Sequence, residues 1–116
     1  MGLDQYAVAR KAEYEDEELM YWRKHNRLQG WMEELWYDTG NKGEFNCVDL
    51  ILTEQDILDL EKDIKAKKLP ETQGFFYGLD SYEEYEEYYK KDDLLFIKSA
   101  KEAIKAGKEV IYSCWW

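Results

Sequence analysis

The chain has little histidine, little cysteine and no long apolar run, and each shortage removes a class of function. His25 is the only histidine, and Cys47 and Cys114 are the only cysteines. With no C-x-x-C spacing and no second histidine a zinc site lacks its ligands, and no acidic loop has the EF-hand spacing, so no metal or other cofactor is expected. Two distant cysteines do not make a disulfide framework, and with no secretory signal they read as reduced thiols in a cytosol. No stretch approaches the roughly 20 apolar residues of a membrane span, so a soluble chain is expected. The phosphate-cradling patterns G-x-x-x-x-G-K-[ST] and G-x-G-x-x-G are both missing. Gly40-Asn41-Lys42-Gly43 matches the short GXXG of KH domains, but it precedes a strand in an acidic chain and reads as a turn. Basic residues are outnumbered as well: 16 Lys and Arg against 26 Asp and Glu give a formal charge of −10. Long-range repulsion therefore disfavours nucleic acid as a direct partner.

What the chain has in plenty is aromatic side chains, with 10 Tyr, 5 Trp and 4 Phe in 116 residues. Tyr and Trp combine an apolar body with a polar tip and suit amphipathic packing surfaces and interfaces. The length supports one domain, residues 1–116, with one core.

Local patterns order the elements. Leu3 to Arg10 alternates Tyr6 and Val8 with small residues and predicts a strand. In EYEDEE, Asp16 suits a helix cap among acids that favour the positive end of the dipole, so a helix is expected from there to about Asp38. On it Tyr21, His25, Leu28, Trp31, Met32, Leu35 and Trp36 share a broad apolar arc. Arg23, Asn26, Arg27, Gly30, Glu33 and Glu34 take the other side, with Lys24 at the edge. FNCVDLILT, Phe45 to Thr53, is apolar on both faces and predicts a central strand. Thr53 to Asp56 then resembles a capping box, with the shorter Asp at its third helical position, for a helix whose buried stripe is Ile57, Leu60 and Ile64, stopped at Leu69-Pro70. ETQGFFYGLD, Glu71 to Asp80, is a short strand or a packed loop. From Ser81 a capping box opens a helical phase, with Gly107 as its stop. That phase is either continuous or broken near Lys90 to Asp93. EVIYSCWW closes the sequence as a second central strand. The expected fold is α+β: a small mixed sheet of three or four strands with three or four helices packed mainly on one face.

Candidate sites follow from these placements. Arg23 and Arg27, one helical turn apart, can converge on an anion beside Lys24 and Asn26, or simply pair with Glu33 and Glu34. His25 and Cys47 are the weak catalytic candidates, as a base with a thiol nucleophile, although no signature joins them and both also suit a core. Glu83, Glu84, Glu86, Glu87, Asp92 and Asp93 form a negative row among tyrosines that could occupy a basic groove on a nucleic-acid-binding protein, or form a solvated helix face.

MGLDQYA, YWRKHNRLQGWME, FNCVDLILT, LPETQGFFYGLDSYE and the final YSCWW together resemble a family of small uncharacterised accessory proteins of tailed phages. The resemblance implies a setting, the host cytoplasm, and transfers no catalytic residue. The leading expectation is a non-enzymatic phage accessory protein that binds and modulates a host macromolecule, as an anti-defence or takeover factor. The alternative is a small enzyme or anion-ligand-binding protein with a pocket around Tyr21 to Asn26, with Asn46 and Cys47. A third is a homodimer zipped through the C-terminal strand.

Overall fold

A computed structural model describes residues 3–12, 15–69, 86 and 89–116. Within them the chain runs β1 (Asp4–Ala12), β2 (Glu15–Arg23), α1 (Asn26–Asp38), β3 (Asp49–Leu52), α2 (Glu54–Lys65), α3 (Lys90–Lys105) and β4 (Glu109–Trp115). The strands form one four-stranded sheet in the order β2-β1-β4-β3. Every neighbouring pair is antiparallel, so the α+β class is as expected while the sheet is not mixed. No helix among the described residues is long and apolar enough to cross a membrane.

Alternation decides the two faces of the sheet. Leu3, Gln5, Ala7 and Ala9 of the first strand segment point inward and are buried, as are Val110, Tyr112 and Cys114 of β4. Against them α1 contributes Leu28, Met32 and Trp36, α2 contributes Ile57, Leu60 and Ile64, and α3 contributes Phe96, Ile97, Ala100 and Ala103, all in one cluster. Each fully buried aliphatic or Phe side chain there contributes about 1.5–3 kcal/mol of transfer free energy. The three helices thus pack on the same side.

The main departure from expectation is at residues 15–23, which form β2 instead of the first turns of a helix. The acids predicted to start that helix enter β2, and Trp22 and Met20 turn toward the helix side. A register shift opposite Ala7 and Val8 leaves Leu19 without a partner, which breaks the two-residue period of the strand. The helix begins only after Lys24, whose φ of 56° makes the corner. In the second strand region only Asp49–Leu52 is strand, and it lies at the sheet edge instead of the centre. Phe45 is nevertheless buried in the core. β4 is central, bonded to β1 and β3, so its backbone offers no free edge for the expected dimer zipper.

Other signals act as read. Thr53 accepts from the Asp56 amide at 3.1 Å while the Asp56 carboxylate accepts from the Thr53 amide at 2.9 Å, completing the capping box of α2. Gly107 takes a φ of 82° directly after the C-cap of α3, a conformation open to glycine at little cost. The expected elements over Glu71 to Asp80 and from Ser81 to Tyr85 lie outside the described residues.

Candidate functional site

The basic island of the sequence is divided by the strand-to-helix corner. Arg23 ends β2 with its side chain 65% exposed, 4.0 Å from the Asp4 carboxylate. Lys24 is exposed at the corner itself, its amide donating to the Leu3 carbonyl at 2.8 Å. Asn26 and Arg27 open α1 and are buried, and Arg27 donates from Nη1 to the Leu69 carbonyl at 2.9 Å. Arg23 and Arg27 are therefore not a pair one helical turn apart. The convergent guanidinium site is corrected to one exposed arginine on a strand and one arginine fastened inside the fold.

His25 caps α1, its Nδ1 accepting from the Leu28 amide at 3.4 Å. Since Nδ1 accepts, the proton sits on Nε2, which donates to Asp93 Oδ2 at 2.7 Å. Asp93, in the first turn of α3, also accepts from Trp22 Nε1 at 2.9 Å. His25 and Asp93 side chains are each only 1% exposed, and the His25 ring stacks on Tyr89 at 4.3 Å. Both ring nitrogens are engaged and the ring is sealed from solvent, so the arrangement is a cross-brace between the β2–α1 corner and α3. It is not an accessible acid–base pair.

A second polar chain starts at the same corner. Gln5 accepts from the His25 amide at 2.8 Å and donates to the His25 carbonyl at 3.0 Å, and its Nε2 also donates to Tyr112 Oη at 2.9 Å. Tyr112 donates to Gln29 Oε1 at 2.6 Å, Gln29 donates to Cys114 Sγ at 3.2 Å, and Cys114 donates to the Phe45 carbonyl at 3.3 Å. From Gln5 to Tyr112, Gln29, Cys114 and the Phe45 carbonyl the donors point in one direction, an order in which each bond polarises the next. Burial pushes the Cys114 thiol up to about 11, which keeps it the donor this chain needs.

Cys47 lies outside that chain. It is exposed in the loop before β3, with φ 57°, and its amide donates to the Cys114 carbonyl at 2.8 Å. It is therefore not in a strand, and the His25 nitrogens are committed to Leu28 and Asp93, so the expected thiol–imidazole dyad is not formed. Of the acidic row, Glu83, Glu84 and Glu87 lie outside the described residues. Glu86 is exposed and bonded to Lys67 at 2.9 Å, which holds its carboxyl below the usual range. Asp92 is half-buried and Asp93 is fully buried, so Asp93 belongs to the interior and not to a partner surface.

Gln5, Gln29 and Tyr112 were not among the candidates read from sequence. Gln5 had one usable signal: it occupies the inward phase of β1 between Leu3 and Ala7, where a polar residue must have a partner. Among the described residues no three His, Cys, Asp or Glu side chains are placed to hold a metal ion. A groove of about 500 Å³ between α2 and α3 is lined by Glu54, Ile57, Leu58, Lys101, Ile104 and Lys105 and contains neither His25 nor Cys47.

The opposite side of the sheet has a different character. Register places Tyr21, Tyr6, Ser113 and Asp49 in one row across the four strands, and Glu18, Val8, Ile111 and Ile51 in the next. Arg23, Asp4 and Trp115 lie in a third row. Tyr6 and Tyr21 pack ring to ring at 5.2 Å, and Tyr21 Oη donates to Asp4 at 2.6 Å, an interaction that raises the phenol's pKa. Tyr21 is 44% exposed, Ile51 54% and Trp115 65%, while Ile111 is buried between Val8 and Ile51. Comparisons with known protein families, with curated proteins and with solved structures found no match to this chain.

Proposed function

We propose that this chain is a non-enzymatic binding protein, a phage accessory protein that engages and modulates a macromolecule of its host in the host cytoplasm. The observation that carries the reading is the sheet face that none of the described helices covers, where Tyr6, Val8, Tyr21, Ile51 and Trp115 form an apolar and aromatic band around the buried Ile111, inside a polar rim. An apolar centre with such a rim is the usual anatomy of a protein interface. The rim carries Asp4, Asp16, Glu18, Asp49 and Glu109 against Arg10 and Arg23. That excess of acid favours a basic protein surface and steers its approach. Interference with host defence or host takeover is the activity such binding would serve.

The enzyme or anion-pocket reading has less support. Its proposed residues diverge, Asn26 and Arg27 into the interior and Arg23 and Cys47 to separate exposed positions. The test places a photo-crosslinking amino acid at position 115 and irradiates the protein in host lysate. A discrete adduct is expected that falls at least ~10-fold when Tyr21→Ser is added, as for loss of an aromatic anchor. No adduct at position 115, or adducts indifferent to Tyr21→Ser, would overturn the reading.

A further inference from the structure

Among the described residues β2 and β3 form the two edges of the sheet, and the two differ. β2 carries Asp16, Glu17 and Glu18 and is interrupted by two register shifts against β1, both devices that discourage an added strand. β3 pairs with β4 without a shift, and behind Asp49 it presents Leu50, Ile51 and Leu52 in succession. The row Val8, Ile111, Ile51 also stops short: Ile111 is 2% exposed between its two neighbours, whereas Ile51 at the edge is 54% exposed. One more strand would extend the row and cover Ile51, adding cross-strand side-chain contacts.

Resting on the binding-protein reading above, we propose that the β3 edge receives an extended segment of a partner protein as a fifth strand, with lysine or arginine flanking an apolar core. Main-chain hydrogen bonds would supply the attachment and alternate side chains the selectivity. The chemistry of the segment follows from β3. Asp49 and Ile51 share the open face, so the residues beside them are basic and apolar in turn; Leu50 and Leu52 are buried on the helix side and take apolar neighbours. Charge also separates this occupant from a second copy, because two chains of −10 repel each other whereas a basic segment is attracted.

The probe is a blocked peptide, KKVIVKK in one-letter code, whose symmetry sets lysine beside Asp49 and isoleucine beside Ile51 in either strand direction. Titrated into isotope-labelled protein, it is expected to shift the amides of Asp49 to Leu52 and slow their hydrogen exchange. N-methylation of two adjacent central residues, one of whose N–H groups must face β3, is expected to weaken binding at least ~10-fold, and Ile51→Lys in the protein by a similar factor. EEVIVEE is expected not to bind. Absence of shifts with KKVIVKK, or equal binding of the N-methylated peptide, overturns edge pairing while leaving the crosslinking result at position 115 to judge the broader reading. Equal binding of EEVIVEE overturns the basic segment. A doubled mass in light scattering that Ile51→Lys abolishes overturns it in favour of a second copy.

Discussion

The two faces of this sheet are presented by the same four strands and do opposite things with polarity. On the helix side, Gln5, His25, Gln29, Asp93, Tyr112 and Cys114 are buried and satisfied by one another, by Trp22 and by backbone groups. On the other side, Tyr21, Ile51 and Trp115 face solvent and charged groups lie around them. Polar atoms inside a core stabilise only as a complete set, since each unmatched group retains its desolvation cost. Apolar atoms outside contribute little to the isolated fold and become favourable when a partner covers them. The closed face thus holds the molecule together, and the binding proposal rests on the other.

The contrast breaks most visibly at Asp93. Asp93→Ala removes the acceptor shared by Trp22 and His25, leaves two buried donors unpaired and is expected to cost about 2–5 kcal/mol, read by chemical denaturation. Gln5→Leu strands the His25 amide and one partner of Tyr112, with about 2 kcal/mol lost by the same measurement. A loss under about 0.5 kcal/mol for either would place the stabilising interactions elsewhere. On the open face, Ile51→Lys and Trp115→Ser are expected to change stability by about 0.5 kcal/mol or less, as is usual for exposed positions. Alkylation sharpens the same division: native protein at neutral pH should take up one equivalent at exposed Cys47, and a second at Cys114 only after unfolding.

The smallest expected effect is with pH. The Asp16 carboxyl is held down by its hydrogen bond from Arg10 and the Glu61 carboxyl by that from Lys101. A carboxyl with a depressed folded value contributes stability above its ordinary value, 3.8 for Asp and 4.5 for Glu, and loses it as pH falls through the folded value. These two surface pairs should therefore leave the thermal midpoint level from about pH 7 to 5 and lower it below about pH 4, less so in high salt.

Sequence patterns revealed features whose cause is local. The Thr53 capping box, the inward stripe of Ile57, Leu60 and Ile64, and the stop at Gly107 each need only a few adjacent residues. Residues 15–23 misled because Tyr21, His25, Leu28 and Met32 share a helical phase, while the bulge at Leu19 hides the strand alternation that places Trp22 inward and Tyr21 outward. His25 is also outside the Ser, Thr, Asp and Asn set that usually marks a helix start, so nothing in the sequence announced the corner. The buried site was visible only as isolated residues. Gln5 and Tyr112 lie 107 positions apart, and no local pattern joins them.

The central place of β4 has a consequence for synthesis. β1 and β2 are joined to β3 in one sheet only through residues 109–115, so a ribosome must deliver the chain as far as β4 before the sheet can close. At about 5–20 residues per second, the hairpin and the inward face of β3 wait on the order of several seconds for their shared neighbour. Throughout that interval Leu50 and Leu52 lack the strand that will pair with them, Tyr112 and Val110 being still unmade.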